Sequence, residues 1–123
     1  MTNIKPFKMP KGTTHLPVET AVYVPTTTST SKSIKANERR KRITETRRIL
    51  SNFFGGYTQV RATGGYVSGE KVITETIYKV TSFGKKDKFN KNKNKLRTWL
   101  LQKKKEWGQE SIGYEQEGDM YYI

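Results

Sequence analysis

The chain has 123 residues and no cysteine, so there is room for one modest core, and disulfides and thiolate metal sites are excluded. Hydrophobic residues make up 33% and charged residues 28%, with a formal net charge of +13 that points to a polyanionic partner. No apolar run reaches the roughly 20 residues of a membrane span, and Met1–Pro10 lacks the apolar core of a signal peptide, so the reading is a cytoplasmic protein with no membrane partner.

Met1–Pro17 carries Pro6, Pro10 and Pro17 with Lys5, Lys8 and Lys11 and has no period. It reads as a basic extended arm, either a loose tail or a segment that orders on a partner, ahead of one domain over Val18–Ile123. The one histidine, His15, falls in this arm with no carboxylate cluster beside it and reads as a solvated side chain. Val18–Val24 (VETAVYV) alternates and is rich in β-formers, which predicts a strand ended by Pro25. Thr26–Ser33 is a hydroxyl-rich loop, read as a solvated linker with a helix cap, although such a run also suits a phosphate.

Ile34–Phe54 has helical spacing: Ala36, Ile43, Leu50 and Phe54 share a line, with Thr46 and Phe53 beside it. Gly55-Gly56 stops it. Arg39, Arg40 and Arg47 fall close to the apolar line, so either their stems snorkel at the domain edge or the first turns overhang the core. Tyr57–Val67 and Lys71–Phe83 read as a hairpin turning at Ser68-Gly69-Glu70, with Gly64-Gly65 marking a bulge or a close backbone approach. In the second strand Ile73, Glu75, Ile77 and Lys79 share one face.

Gly84–Asn94 (GKKDKFNKNKN) reads as a basic connector and Lys95–Trp107 as a helix with Leu96, Leu100 and Trp107 aligned; Phe89 extends that line if the helix starts earlier. Gly108 closes it. Ile112–Ile123 reads as a last strand turning at Glu117-Gly118-Asp119 into a short edge strand. The order is β-α-β-β-α-β plus a small C-terminal hairpin. This predicts an α+β, ferredoxin-like split βαβ fold, an antiparallel sheet with both helices on one face.

Three segments carry a resemblance: YVPTT (Tyr23–Thr27), FGGYTQVRATGGYVSGEKVITETIYKVTSF (Phe54–Phe83) and QESIGYEQEGDMYYI (Gln109–Ile123). Together they resemble a family of small uncharacterised bacterial proteins met on plasmids and other mobile elements. Those proteins share a strand ending in V-P-[ST]-T, an F-G-G…G-G-[WY]-V-S hairpin and a C-terminal G-x-M-Y-[FI] hairpin. The resemblance implies the same element order and, having no assigned activity, implies no functional residues. The basic arm and the Lys-rich connector are extras of this chain.

The charges are segregated. Of 24 Lys and Arg residues, eight lie in Lys32–Arg48, ten in Lys85–Lys105 and none beyond, while Gly108–Ile123 holds four acids. The favoured reading is a non-enzymatic nucleic-acid-binding protein, with Arg40, Lys41, Arg42 and Arg48 on the first helix and Lys91, Lys95 and Lys105 on the second contacting phosphates. RNA or a ribonucleoprotein is preferred over DNA by analogy with the fold, and no cofactor is expected. The alternative is a basic protein-interaction module, a subunit or inhibitor docked on an acidic protein or self-associating, of mobile-element or phage origin. Base stacking on the open sheet face has only the faint Gly65-Tyr66-Val67 signature behind it. Enzymatic chemistry finds no motif: Glu115, Glu117 and Asp119 fall on a hairpin turn, where acids are usually solvated.

Overall fold

A computed structural model describes residues 6–28 and 32–123. Residues 1–5 of the basic arm and 29–31 of the hydroxyl-rich loop lie outside the described residues. Residues 6–17 are exposed and enter no helix or strand. The elements that follow are β1 (Val18–Pro25), α1 (Ala36–Phe54), β2 (Thr58–Ser68), β3 (Lys71–Gly84), α2 (Lys86–Glu106), β4 (Gly113–Gln116) and β5 (Asp119–Tyr122). The sheet is antiparallel throughout, in the order β2-β3-β1-β4-β5. This is the α+β, ferredoxin-like arrangement expected from the element order, extended by the β4–β5 hairpin.

Strand alternation decides what each face of the sheet does. Thr20, Val22 and Val24 of β1 and Val80 and Ser82 of β3 point to the helices and are buried. There they meet Ile43, Leu50 and Phe54 of α1 with Leu96 and Leu100 of α2, and Trp107 and Ile112 close the core. The opposite parity (Tyr23, Glu75, Ile77, Lys79 and Glu115) faces away from the helices. The two layers therefore leave a second sheet face without a covering element among the described residues.

Helix α1 ends as its glycine pair requires: Gly55 takes φ 110°, and its N–H donates to the Ser51 carbonyl at 2.8 Å. The β4–β5 turn is a two-residue loop with positive φ at both Glu117 and Gly118, the geometry that matches strand twist. Gly64-Gly65 makes no bulge, since the β2–β3 register runs through it unbroken. Nor does another backbone approach closely: what a Cβ on Gly64 would meet is the end of the Ile77 side chain.

Helix α2 begins at Lys86, about two and a half turns before the expected start at Lys95. Its first turns have weak intrinsic preference, and tertiary contacts hold them. The Phe89 ring stacks on Phe54 at 6.0 Å between centroids. Asn92, nearly buried, donates from Nδ2 to the Phe53 carbonyl at 3.0 Å. The helices are joined again further along, where Lys103 of α2 reaches in to pair with Glu45 of α1 and with Glu106 at 3.1 Å.

Candidate active site

The uncovered sheet face is concave at one end. Pro25 and Thr27 at the end of β1, Gly64 and Tyr66 of β2, Glu75 and Ile77 of β3, and Gly113, Glu115, Met120 and Tyr122 of the C-terminal hairpin border a cavity of about 650 Å³. Gln109 to Ile112, the segment leading out of α2, forms its far rim. A volume of this order suits a molecule of nucleoside size.

Three carboxylates line the cavity: Glu110 is exposed on the far rim, and Glu75 and Glu115 stand on the sheet face in different electrostatic settings. Glu115 accepts a hydrogen bond from the Tyr23 hydroxyl at 2.7 Å and pairs with Lys79 at 3.3 Å, both through Oε1. Lys79 also lies over the Tyr23 ring, 5.6 Å from its centroid. The Tyr23 hydrogen bond, with Lys79 beside it, holds the Glu115 carboxyl below its ordinary range against the opposing effect of burial. Burial and the Glu115 carboxylate push the Tyr23 hydroxyl up. Burial pulls Lys79 down, but Glu115 and Tyr23 together more than offset it, so Lys79 is raised too. All three are fixed in one charge state near neutrality: anion, neutral phenol, cation.

Glu75 is different. It accepts a hydrogen bond from Thr27 Oγ1 at 3.3 Å and has no ion pair among the described residues. It flanks the cavity between Ile73 and Ile77 on the outward face of β3, a carboxylate with its charge uncompensated. Gly113 completes the wall by being small. A Cβ there would lie 2.7 Å from Cε of Met120 and 3.2 Å from Cβ of Tyr23.

The residues expected to bind phosphates lie elsewhere. Arg40, Lys41 and Arg48 on α1 and Lys91, Lys95 and Lys105 on α2 are exposed on the helical layer, across the sheet from the cavity. Arg42 is not on that surface at all. It is 3% exposed, and its guanidinium donates to the carbonyls of Pro25 (3.0 Å), Thr27 (3.1 Å) and Trp107 (3.4 Å) while lying over the Trp107 ring. It is an internal tie and not a phosphate ligand. One residue from Ile43 is a rotation of about 100° on the helical wheel, off the apolar line, so helical spacing carries no sign that Arg42 turns inward.

No known family's sequence pattern matches the chain, and no curated protein does. Its fold is similar to solved structures of a phage SAM lyase. The complex of that enzyme with S-methyl-5′-thioadenosine is 13% identical, with 86% of this chain and 88% of that one covered at a TM-score of 0.59. The apo enzyme is 16% identical, with 86% and 87% covered at 0.55. These neighbours correct the functional expectation. They are structures of an enzyme, one holding a nucleoside thioether, and they overturn the reading of the chain as a non-enzymatic nucleic-acid binder or basic docking module. That reading rested on net charge and fold analogy, which describe a surface and a scaffold and leave the site itself unread.

Among the described residues no group of three His, Asp or Glu side chains gathers as a metal site, and no helix is long and apolar enough to cross a membrane. Sequence reasoning missed Tyr23 and Glu75, and it set Glu115 aside as a solvated turn acid, whereas Glu115 lies within β4 and is partnered by Tyr23 and Lys79. The available signal was Glu75 itself, an acid between two isoleucines on one face of an inner strand, in a chain otherwise strongly basic.

Proposed function

We propose that this chain is an S-adenosylmethionine lyase that works in the sheet-face cavity and releases S-methyl-5′-thioadenosine. The observation that carries the reading is the inequality of the two sheet-face carboxylates. Glu115 is already neutralised by Lys79, whereas Glu75 offers an unpaired negative charge to a cationic ligand. S-Adenosylmethionine brings two cationic centres, the sulfonium and the α-ammonium. Tyr23, Tyr66 and Tyr122 supply ring surface for the adenosine and for the sulfonium.

The chemistry fits a site made of holding groups. To form S-methyl-5′-thioadenosine, the bond from sulfur to the methionyl Cγ breaks and its electron pair goes to sulfur. The substrate's own carboxylate stands a ring-closure away from Cγ. As that oxygen bonds Cγ, the thioether leaves neutral, and the rest of the chain closes to a five-membered lactone. No proton has to move. The protein has to fold the aminobutyryl chain into the attacking conformer and keep water from solvating the carboxylate. Glu75 serves best on the α-ammonium, whose charge does not change. Placed against the sulfonium, it would stabilise a charge that the reaction must lose.

The fixed charge of the sulfonium prevents the substrate from crossing a bilayer unaided, and we therefore also propose a cytoplasmic location. The test is to incubate the purified full chain with S-adenosylmethionine and resolve the products by chromatography with mass detection. S-Methyl-5′-thioadenosine formed in proportion to enzyme, together with the lactone, is the expected result. No release above the uncatalysed rate overturns the reading.

A further inference from the structure

We propose that the buried Arg42 is a positioning residue for the cavity, acting on Glu75 through Thr27; the inference rests on the lyase reading above. Its geometry connects three levels of the structure. The guanidinium ties the end of β1, through the carbonyls of Pro25 and Thr27, to the end of α2, through the carbonyl of Trp107. Those two chain ends are where the cavity rim begins. Gln109, on the rim, repeats the tie: its Nε2 donates to the Thr27 carbonyl at 2.8 Å and to the Trp107 carbonyl at 3.0 Å.

Thr27 is thus held by its main chain from two sides, and its hydroxyl is the group that orients Glu75. The path from Arg42 to the cavity carboxylate is a guanidinium, one residue and a hydroxyl. A lysine would keep the charge of Arg42. It lacks the planar fork of donors that reaches separate carbonyls at once. Removing the fork takes the guanidinium donor from the Pro25 carbonyl and leaves the Thr27 and Trp107 carbonyls tied by Gln109 alone, which loosens the segment. Glu38, paired with Arg42 at 3.4 Å and 40% exposed at its side chain, faces solvent and takes no part in this path.

The experiment compares wild type, Arg42→Lys, Thr27→Val and the double variant. Thr27→Val keeps the carbonyl that Arg42 binds and deletes only the hydroxyl. Each chain is read for kcat and KM of S-methyl-5′-thioadenosine release and for amide hydrogen exchange. Arg42→Lys is expected to lower kcat at least 10-fold, to change KM less than 3-fold, and to speed exchange at Thr28 and Ile34 while leaving Tyr23 and Val80 protected. The double variant should be no slower than the slower single one, because both act on the same contact. Additive losses, or an Arg42→Lys kcat equal to wild type, overturn the proposal.

If Arg42→Lys does not fold, Gln109→Leu gives the second route, since it removes one of the two ties on the Thr27 carbonyl. It should produce a smaller kcat loss, about 3-fold or more, with faster exchange at Thr28; an unchanged rate and unchanged exchange overturn the proposal. A wild-type chain with no product overturns the lyase reading and with it the catalytic part of this inference. Unchanged exchange at Thr28 and Ile34 in Arg42→Lys refutes the positioning claim by itself.

Discussion

Tyr23 of β1 donates its phenolic hydrogen to Glu115 of β4 at 2.7 Å, and Lys79 of β3 approaches the same carboxylate oxygen at 3.3 Å. Three neighbouring strands contribute one residue each, and the register brings them together: Tyr23 pairs with Lys79 on one side and with Gly113 on the other, two residues from Glu115. The consequence for the cavity is a division of labour. Glu115 has its charge met within the sheet and shapes the wall, which leaves Glu75 as the sheet-face carboxylate available to a ligand, with Glu110 exposed on the rim.

Replacing Tyr23 by Phe removes the largest single cause that holds the Glu115 carboxyl low. Its titration midpoint, followed by the carboxyl carbon resonance, is expected to rise toward the ordinary value of about 4.3. The sign for stability follows. The folded value is depressed, so the contribution is present above the unfolded value and lost as pH falls through the folded one. Wild type should therefore lose more stability than Tyr23→Phe between roughly pH 5 and pH 3. An unmoved midpoint would assign the whole effect to Lys79.

Glu75→Gln keeps the shape of the side chain and an acceptor for Thr27, and deletes only the charge. S-Methyl-5′-thioadenosine release should fall about 100-fold in kcat/KM, the order expected when one partner of a desolvated charge contact is removed. The melting temperature should stay within about 2 °C, as befits a half-exposed group without an ion pair. The parallel variant Glu115→Gln should show the opposite balance, a smaller rate effect and a larger loss of stability, because it leaves Lys79 unpaired. Equal rate losses in the two variants would reject the division of labour.

The contrast between these carboxylates marks where sequence reading stops. Alternation in VETAVYV and the Gly55-Gly56 stop made the element order and the ferredoxin-like topology legible, because period and turn chemistry are local. Which strands become neighbours is also predictable from that topology. What strand spacing leaves open is the meeting of Tyr23, Lys79 and Glu115, since it needs the register of β1 against both β3 and β4. Arg42 shows the same limit from the other side. In a helix crowded with cations, only the carbonyls at the ends of β1 and α2 determine that this one turns inward.

Gly113 is the position where a methyl group should be felt most. In Gly113→Ala the flexible end of Met120 can swing aside, but the Tyr23 Cβ belongs to an inner strand and can give way only by shifting its own backbone. The expected cost is about 1–3 kcal/mol in urea unfolding, the range for overpacking a tight site. Because Tyr23 is the atom group displaced, the Glu115 midpoint should rise in this variant as well. Adding Met120→Ala should recover only part of the stability and none of the midpoint. Full recovery would place the clash on Met120 alone and leave Tyr23 undisturbed.

Phe89 tests whether the first turns of α2 depend on tertiary contact. The stretch Lys86–Asn94 is poor in strong helix formers apart from its lysines, and Lys91 and Lys95 repel each other at i,i+4. Asp87 in the first turn offers only the modest help of a negative charge near a helix N-terminus, and Lys85 provides no side-chain cap. The remaining support is the Phe89 stack on Phe54 and the Asn92 bond to the Phe53 carbonyl. Phe89→Ala should cost about 2–3 kcal/mol, less than a fully buried phenylalanine because the ring is only partly enclosed. It should also unwind the first two turns, seen as a loss of helical circular dichroism and fast amide exchange at residues 89 to 92. Exchange from Leu96 onward should stay slow, since Leu96 and Leu100 are anchored in the core. Phe89→Leu, which keeps an apolar side chain of helical preference, should retain the turns. A Phe89→Ala chain in which residues 89 to 92 stay protected would show that local preference, and not the contact with Phe54, starts the helix at Lys86.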